Sequence, residues 1–164
     1  MDASAISQII FLIILLIFSA FFSSAETALT TVNKIRMRTL ADDGNKRAER
    51  VLRITDDSHK MLSAILIGNN IVNLSASSLA TTLAIKLWGS VGAGIATGIL
   101  TFLILVFGEI SPKTFATLYA DQISIAYSGI IGFLMKILTP VIFLVNQFSM
   151  GFLFLLHVDP KANN

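Results

Sequence analysis

The stretch Ile9-Ile10-Phe11-Leu12-Ile13-Ile14-Leu15-Leu16-Ile17-Phe18-Ser19-Ala20-Phe21-Phe22-Ser23-Ser24-Ala25-Glu26-Thr27 decides the fold. It opens with an unbroken run of large apolar side chains and then turns small and polar. A soluble amphipathic helix keeps a polar face along its whole length. The first half here has none, so it needs lipid on every side. About 20 apolar residues cross a bilayer, and a span over about residues 6–30 is predicted. The polar second half has to face protein or water. A cleaved signal peptide is a poor match, because Asp2 is the only charge ahead of the run and a basic leader is missing.

The rest of the chain agrees with that reading. Of its 164 residues, 54% are hydrophobic and 13% charged, against about 25% charged in an ordinary soluble domain. Two further apolar stretches, about 61–87 and 91–119, predict a second and a third span. Trp88-Gly89-Ser90 forms the short turn between them, with Trp88 suited to a membrane interface. Between the first and second spans lie eight of the 12 basic residues: Lys34, Arg36, Arg38, Lys46, Arg47, Arg50, Arg53 and Lys60. Asp42-Asp43-Gly44-Asn45 reads as a turn between two short amphipathic helices, at about 34–57, that lie on the headgroups. No aromatic platform interleaves these charges, and acids are mixed among them, so a nucleic-acid surface is not indicated. Basic residues favour the cytoplasmic side. That rule puts the N-terminus and the Trp88 turn outside and returns the chain to the cytoplasm after Tyr119, in a multi-pass plasma-membrane protein.

The last apolar region, about 122–157, carries Lys136, Thr139 and Pro140 in its middle. Proline ends or kinks a helix just ahead of itself. The residues alone leave two architectures open, a fourth span or a bent hairpin at the membrane surface. Residues 159–164 read as a linker to a cytoplasmic region.

Cysteine is absent, which removes disulfides and thiolate metal sites. His59 and His157 lie far apart and read as interfacial residues. No nucleophile motif or cofactor loop is present, so an enzyme is not expected.

Each predicted span carries one polar cluster. Ser19 and Ser23 are four apart and share a helix face, which Glu26 joins one turn further on. In the second span Gly68-Asn69-Asn70 precedes Asn73, again four from Asn69. In the third, Gly108-Glu109-Ile110-Ser111-Pro112-Lys113 holds the span's only carboxylate. Pro112 has no N–H, so the Gly108 carbonyl four residues back loses its helical donor. Lys113 either snorkels to the interface or pairs with Glu109. A charged group inside a bilayer costs about 2.5–3.5 kcal/mol on insertion scales and is by default a candidate functional residue. Together these residues offer hydroxyl, amide, carbonyl and carboxylate oxygens, a hard donor set that suits Mg²⁺ or Na⁺.

These same segments carry a family resemblance. Phe18-Ser19-Ala20-Phe21-Phe22-Ser23-Ser24-Ala25-Glu26-Thr27-Ala28-Leu29, Ile67-Gly68-Asn69-Asn70-Ile71-Val72-Asn73 and Gly108-Glu109-Ile110-Ser111-Pro112-Lys113 resemble the three helix motifs of the CorC / cyclin M (CNNM) family. The resemblance implies an all-α integral membrane domain over residues 1–158, with three transmembrane helices, a cytoplasmic-side juxtamembrane helical belt that includes 122–157, and a homodimer. It implies a cytoplasmic pair of ATP-binding domains in the full-length chain. It also implies Mg²⁺ export, with Na⁺ as the coupling ion. Carried over motif by motif, Ser19, Ser23, Asn69, Glu109 and the Gly108 carbonyl hold a largely dehydrated Mg²⁺. Asn70, Asn73, Glu26 and Lys113 follow as further metal or Na⁺ pathway residues. A non-transporting Mg²⁺ sensor would use the same ligands. A membrane scaffold, its polar residues gluing helices together, would bind no ion.

Overall fold

A computed structural model describes residues 3–157, and the proposed linker at 159–164 lies outside the described residues. Helices make up the described chain: α1 (Ala3–Thr31), α2 (Lys34–Asp42), α3 (Lys46–Asp56), α4 (Ser58–Trp88), α5 (Ser90–Leu103), a π-helical segment (Ile104–Ile110), α6 (Ser111–Leu118), α7 (Ala120–Ile137) and α8 (Thr139–Leu155). Three are long and apolar enough to cross a membrane: α1, α4 and the continuous stretch Ser90–Leu118. At about 1.5 Å per residue, the 29 residues of α1 reach beyond the ~30 Å hydrocarbon core.

The first half of α1 shows why lipid is its solvent. Ile10, Phe11, Ile13, Ile14, Ile17 and Phe18 are all exposed, a contiguous apolar surface that water would not tolerate. Burial concentrates in the second half, at Ser19, Phe22, Ser23, Ser24, Ala25, Ala28 and Leu29. Small residues there let other helices approach closely. α1 packs against α4, the π segment, α6 and α7, and so forms the centre of the bundle.

The basic hairpin folds around two asparagine caps. Asn33 accepts from the Arg36 N–H at 3.1 Å, and Asn45 accepts from the N–H groups of Arg47 and Ala48. Gly44, at φ 96°, takes the left-handed turn that the sequence places there. α3 is amphipathic, with Ala48, Val51, Ile54 and Thr55 buried and Lys46, Arg47, Glu49, Arg53 and Asp56 exposed. Asp121, at the start of α7, receives the Asn33 N–H at 3.0 Å and pairs with Arg36 at 3.5 Å. These contacts tie the hairpin to the helix that follows the third span.

The last apolar region divides where Pro140 predicts. α7 and α8 meet at Leu138 with a bend of 65°. Together they have the length and composition of one broken span, or of a re-entrant pair. His59 Nε2, near the start of α4, lies 3.4 Å from Asn146 Oδ1 of α8, and His157 ends the described chain at φ 60°.

Candidate functional site

The three polar clusters converge on the buried half of α1. Ser19 Oγ donates to Asn73 Oδ1 at 2.8 Å. A Cβ built on Gly108 would lie 2.8 Å from the same Oγ. One serine hydroxyl therefore touches the second span through its side chain and the third through bare backbone. Both Ser19 and Gly108 are buried.

The pairing of α1 with α4 is antiparallel. Near one end Lys86 Nζ stands 3.5 Å from Ser4 Oγ; further along come the Ser19–Asn73 bond and Phe22, whose Cζ would be 2.5 Å from a Cβ on Gly68. Stepping four residues from Ser19 to Ser23 along α1 is matched by four residues back from Asn73 to Asn69 along α4. Each step is about one helical turn, so Ser23 and Asn69 lie at the same level, one turn along from that bond, without bonding each other. Both carry buried oxygens, Ser23 Oγ and Asn69 Oδ1, that no protein group satisfies. Buried polar atoms almost always have a partner. Two such oxygens near the Ser19–Asn73 bond are left with open hydrogen-bonding or coordinating capacity.

In the third span the sequence anticipates one freed carbonyl, and the structure enlarges the break. Ile104–Ile110 is π-helical, and the Ser111 N–H bonds Val106 O five residues back. Such segments concentrate at functional sites. In π register the carbonyl that Pro112 fails to serve is Phe107; in α register it is Gly108. Pro112 stands where one register gives way to the other and donates to neither. Glu109 lies in this segment, half-buried, with Lys113 Nζ 3.5 Å from its Oε2. Of the two roles the sequence leaves to Lys113, the structure has it paired with Glu109.

The remaining named residues are placed differently. Glu26 is half-buried, two turns from Ser19. Asn70 is exposed, on the outer surface of α4 beyond the Ser19–Asn73 contact. Sequence reasoning missed Phe22, whose ring occupies the notch left by Gly68. It also missed Gln8 and Ser124, whose side-chain oxygens are buried without a partner. A lone glutamine in an apolar run was the signal for Gln8. Ser124, within a mixed helix start, offered none.

Among the described residues no three His, Cys, Asp or Glu side chains gather in a metal-binding group. The cluster is one of neutral oxygens with a single carboxylate.

Residues 10–164 match the model of the cyclin M transmembrane N-terminal domain. A UPF0053 protein of Haemophilus influenzae is 45% identical over 150 residues, covering 91% of this chain and 36% of that protein. The UPF0053 inner membrane protein YfjD of Escherichia coli is 41% identical over 131 residues, 80% of this chain and 31% of its own length. A chloroplastic DUF21 domain-containing protein of Arabidopsis thaliana is 38% identical over 156 residues, 94% of this chain and 24% of its own. The chain thus spans about a third or less of these relatives. With three helices fit to cross a membrane and a family model matched over nearly its whole length, this chain belongs to the cyclin M transmembrane N-terminal domain family.

Proposed function

We propose that this domain transports Mg²⁺ out of the cytoplasm across the inner (plasma) membrane, binding the largely dehydrated ion between its three spans. The observation that carries the reading is the pair of unpartnered buried oxygens, Ser23 Oγ and Asn69 Oδ1. They sit one turn from a serine that already joins all three spans. Mg²⁺ prefers about six oxygens near 2.0–2.1 Å and one or two carboxylates. Ser19, Ser23, Asn69, the Gly108 carbonyl and Glu109 supply a hard-donor set of that kind, with water filling the remainder. One of the three spans is interrupted at the site by a π segment and a proline, and discontinuous helices are a common construction for transporter ion sites.

Glu109 has two suitors in this scheme. Lys113 already neutralises it, and Mg²⁺ takes its place by recruiting the carboxylate. Na⁺ entry, with Glu26 on its path, is the proposed driving force. A second copy of the chain is the proposed partner in a homodimer. The exposed face of α4 supports that role, since it carries Asn70, Ser75, Ser78 and Thr82, polar groups that lipid does not favour. The remaining length of the relatives leaves room for the ATP-binding cytoplasmic domains expected from the family, with the N-terminus outside and the C-terminus in the cytoplasm. The name of YfjD as an inner membrane protein fits the location.

Titration calorimetry with Mg²⁺, run beside Ser23→Ala and Glu109→Ala, tests the site. Saturable binding in the parent and its loss in both variants is the expected result. Mg²⁺ flux from liposomes then separates a transporter from a sensor, because only the transporter moves ion. Binding indifferent to both substitutions would mean that the oxygens serve only as helix glue.

A further inference from the structure

The basic residues of the belt are gathered as well as numerous. Arg50 and Arg53 of α3, Lys60 at the start of α4 and Lys136 in the last turn of α7 line one cavity of about 480 Å³. Among the described residues Asp57 is the only carboxylate on its wall. Among the described residues, none of the four cations makes an ion pair. Three helices thus turn four positive heads towards one hollow, against a single negative one.

The hollow owes its depth to glycine. Gly129 and Gly132 line it from α7, and a Cβ on Gly129 would stand 2.9 Å from Arg50 Nη1. The guanidinium therefore rests against the α7 backbone, in space that a side chain would take. Phe133 completes the wall, and Ile130, Phe133 and Ile137 leave an exposed apolar stripe along α7 at helical spacing. Lys60 stands at the threshold of the second span, at headgroup level. A cluster of cations beside an acyl-chain surface at that depth has the chemistry of a phospholipid headgroup site. Arginine's fork suits phosphate oxygens.

We propose that this cavity binds the phosphate of an anionic phospholipid headgroup, with the acyl chains running along the Ile130–Phe133–Ile137 stripe. A free phosphate would use the cations but gain nothing from the stripe. A zwitterionic lipid would bring its own ammonium into a cavity already positive.

Native mass spectrometry of the 164-residue chain tests this, with dioctanoyl phosphatidylglycerol, dioctanoyl phosphatidylcholine and inorganic phosphate as the three probes. R50Q/R53Q is compared with K34Q/R38Q, which removes the same charge from α2 outside the cavity, and circular dichroism checks that each variant keeps its helix content. K60Q/K136Q attacks the cavity from its other two walls should R50Q/R53Q not fold. At roughly a tenfold or smaller change per lost cation, phosphatidylglycerol binding is expected to weaken about 30-fold in either cavity variant and to hold in K34Q/R38Q. Equal binding of phosphatidylcholine, displacement by inorganic phosphate at matching concentration, or equal loss in K34Q/R38Q would each overturn the assignment.

Discussion

Ser19 of the first span bonds Asn73 of the second at 2.8 Å across 54 residues of sequence, and the same hydroxyl fills the space above Gly108 in the third. Its loss should therefore act on stability and on ion binding together. Ser19→Ala leaves Asn73 Oδ1 without its donor, a loss worth about 1–3 kcal/mol. Melting in detergent should fall, and Mg²⁺ affinity by calorimetry should drop by about tenfold or more.

Ser23→Ala should separate the two effects. Its hydroxyl is fully buried and bonds nothing in the protein. Removing an unsatisfied buried polar atom is neutral or stabilising, so the melting temperature should hold or rise. Mg²⁺ binding should nevertheless be lost. A parallel fall in both would show that Ser23 is structural.

Gly108→Ala places a methyl group 2.8 Å from Ser19 Oγ. Such overpacking typically costs about 1–3 kcal/mol. Combined with Ser19→Ala, the remaining approach is to Ser19 Cβ at 3.4 Å, so part of the loss should return. A double-mutant cycle on thermal unfolding measures that coupling, and strict additivity would contradict the contact.

Lys113→Gln should sharpen binding. It frees Glu109 from an ion pair at 3.5 Å whose lysine is well exposed. Pairs of that kind are worth about 0–1 kcal/mol, so a gain in Mg²⁺ affinity of up to about fivefold is expected. Glu109→Gln should abolish binding. Calorimetry on the two variants gives opposite signs if Lys113 and Mg²⁺ compete for one carboxylate.

Pro112→Ala restores an N–H at the change of register. The new donor can serve the Gly108 carbonyl and close the break, so the third span should become more stable while Mg²⁺ binding weakens. Hydrogen exchange over residues 104–113 and calorimetry read the two effects separately.

Much of the fold is legible in the sequence because lipid imposes a strict length and an apolar surface. Ile10 to Phe18 announces α1 without any knowledge of its neighbours, and Asp42-Asp43-Gly44-Asn45 announces the hairpin turn. The candidate site is legible as a list of oxygens, since Ser19, Asn73 and Gly108 all carry signals that are local in sequence. Their mutual arrangement is not. The register that brings Ser23 level with Asn69 depends on Phe22 settling into the notch at Gly68, a fit between side-chain shapes 46 residues apart. The π segment escapes for a related reason: Pro112 reveals that a carbonyl is freed, but how the strain spreads upstream depends on packing against α1. Asn70 resembles its neighbour in composition, yet one residue of helical rotation, about 100°, turns it outward.

The clasp between α1 and α4 also divides the molecule mechanically. Lys86 against Ser4, Asn73 against Ser19 and Gly68 under Phe22 fasten the two helices at three heights, so neither can slide or roll without undoing all three. The third span packs on this pair at both its ends, α5 against α4 and α6 against α1, and between those contacts lies the segment whose hydrogen bonds run in two registers. Any opening of the cluster would therefore concentrate in the π segment, the stretch of that wall not in α register, with Ser23 and Asn69 on the clasped pair and Glu109 on the part that can rewind.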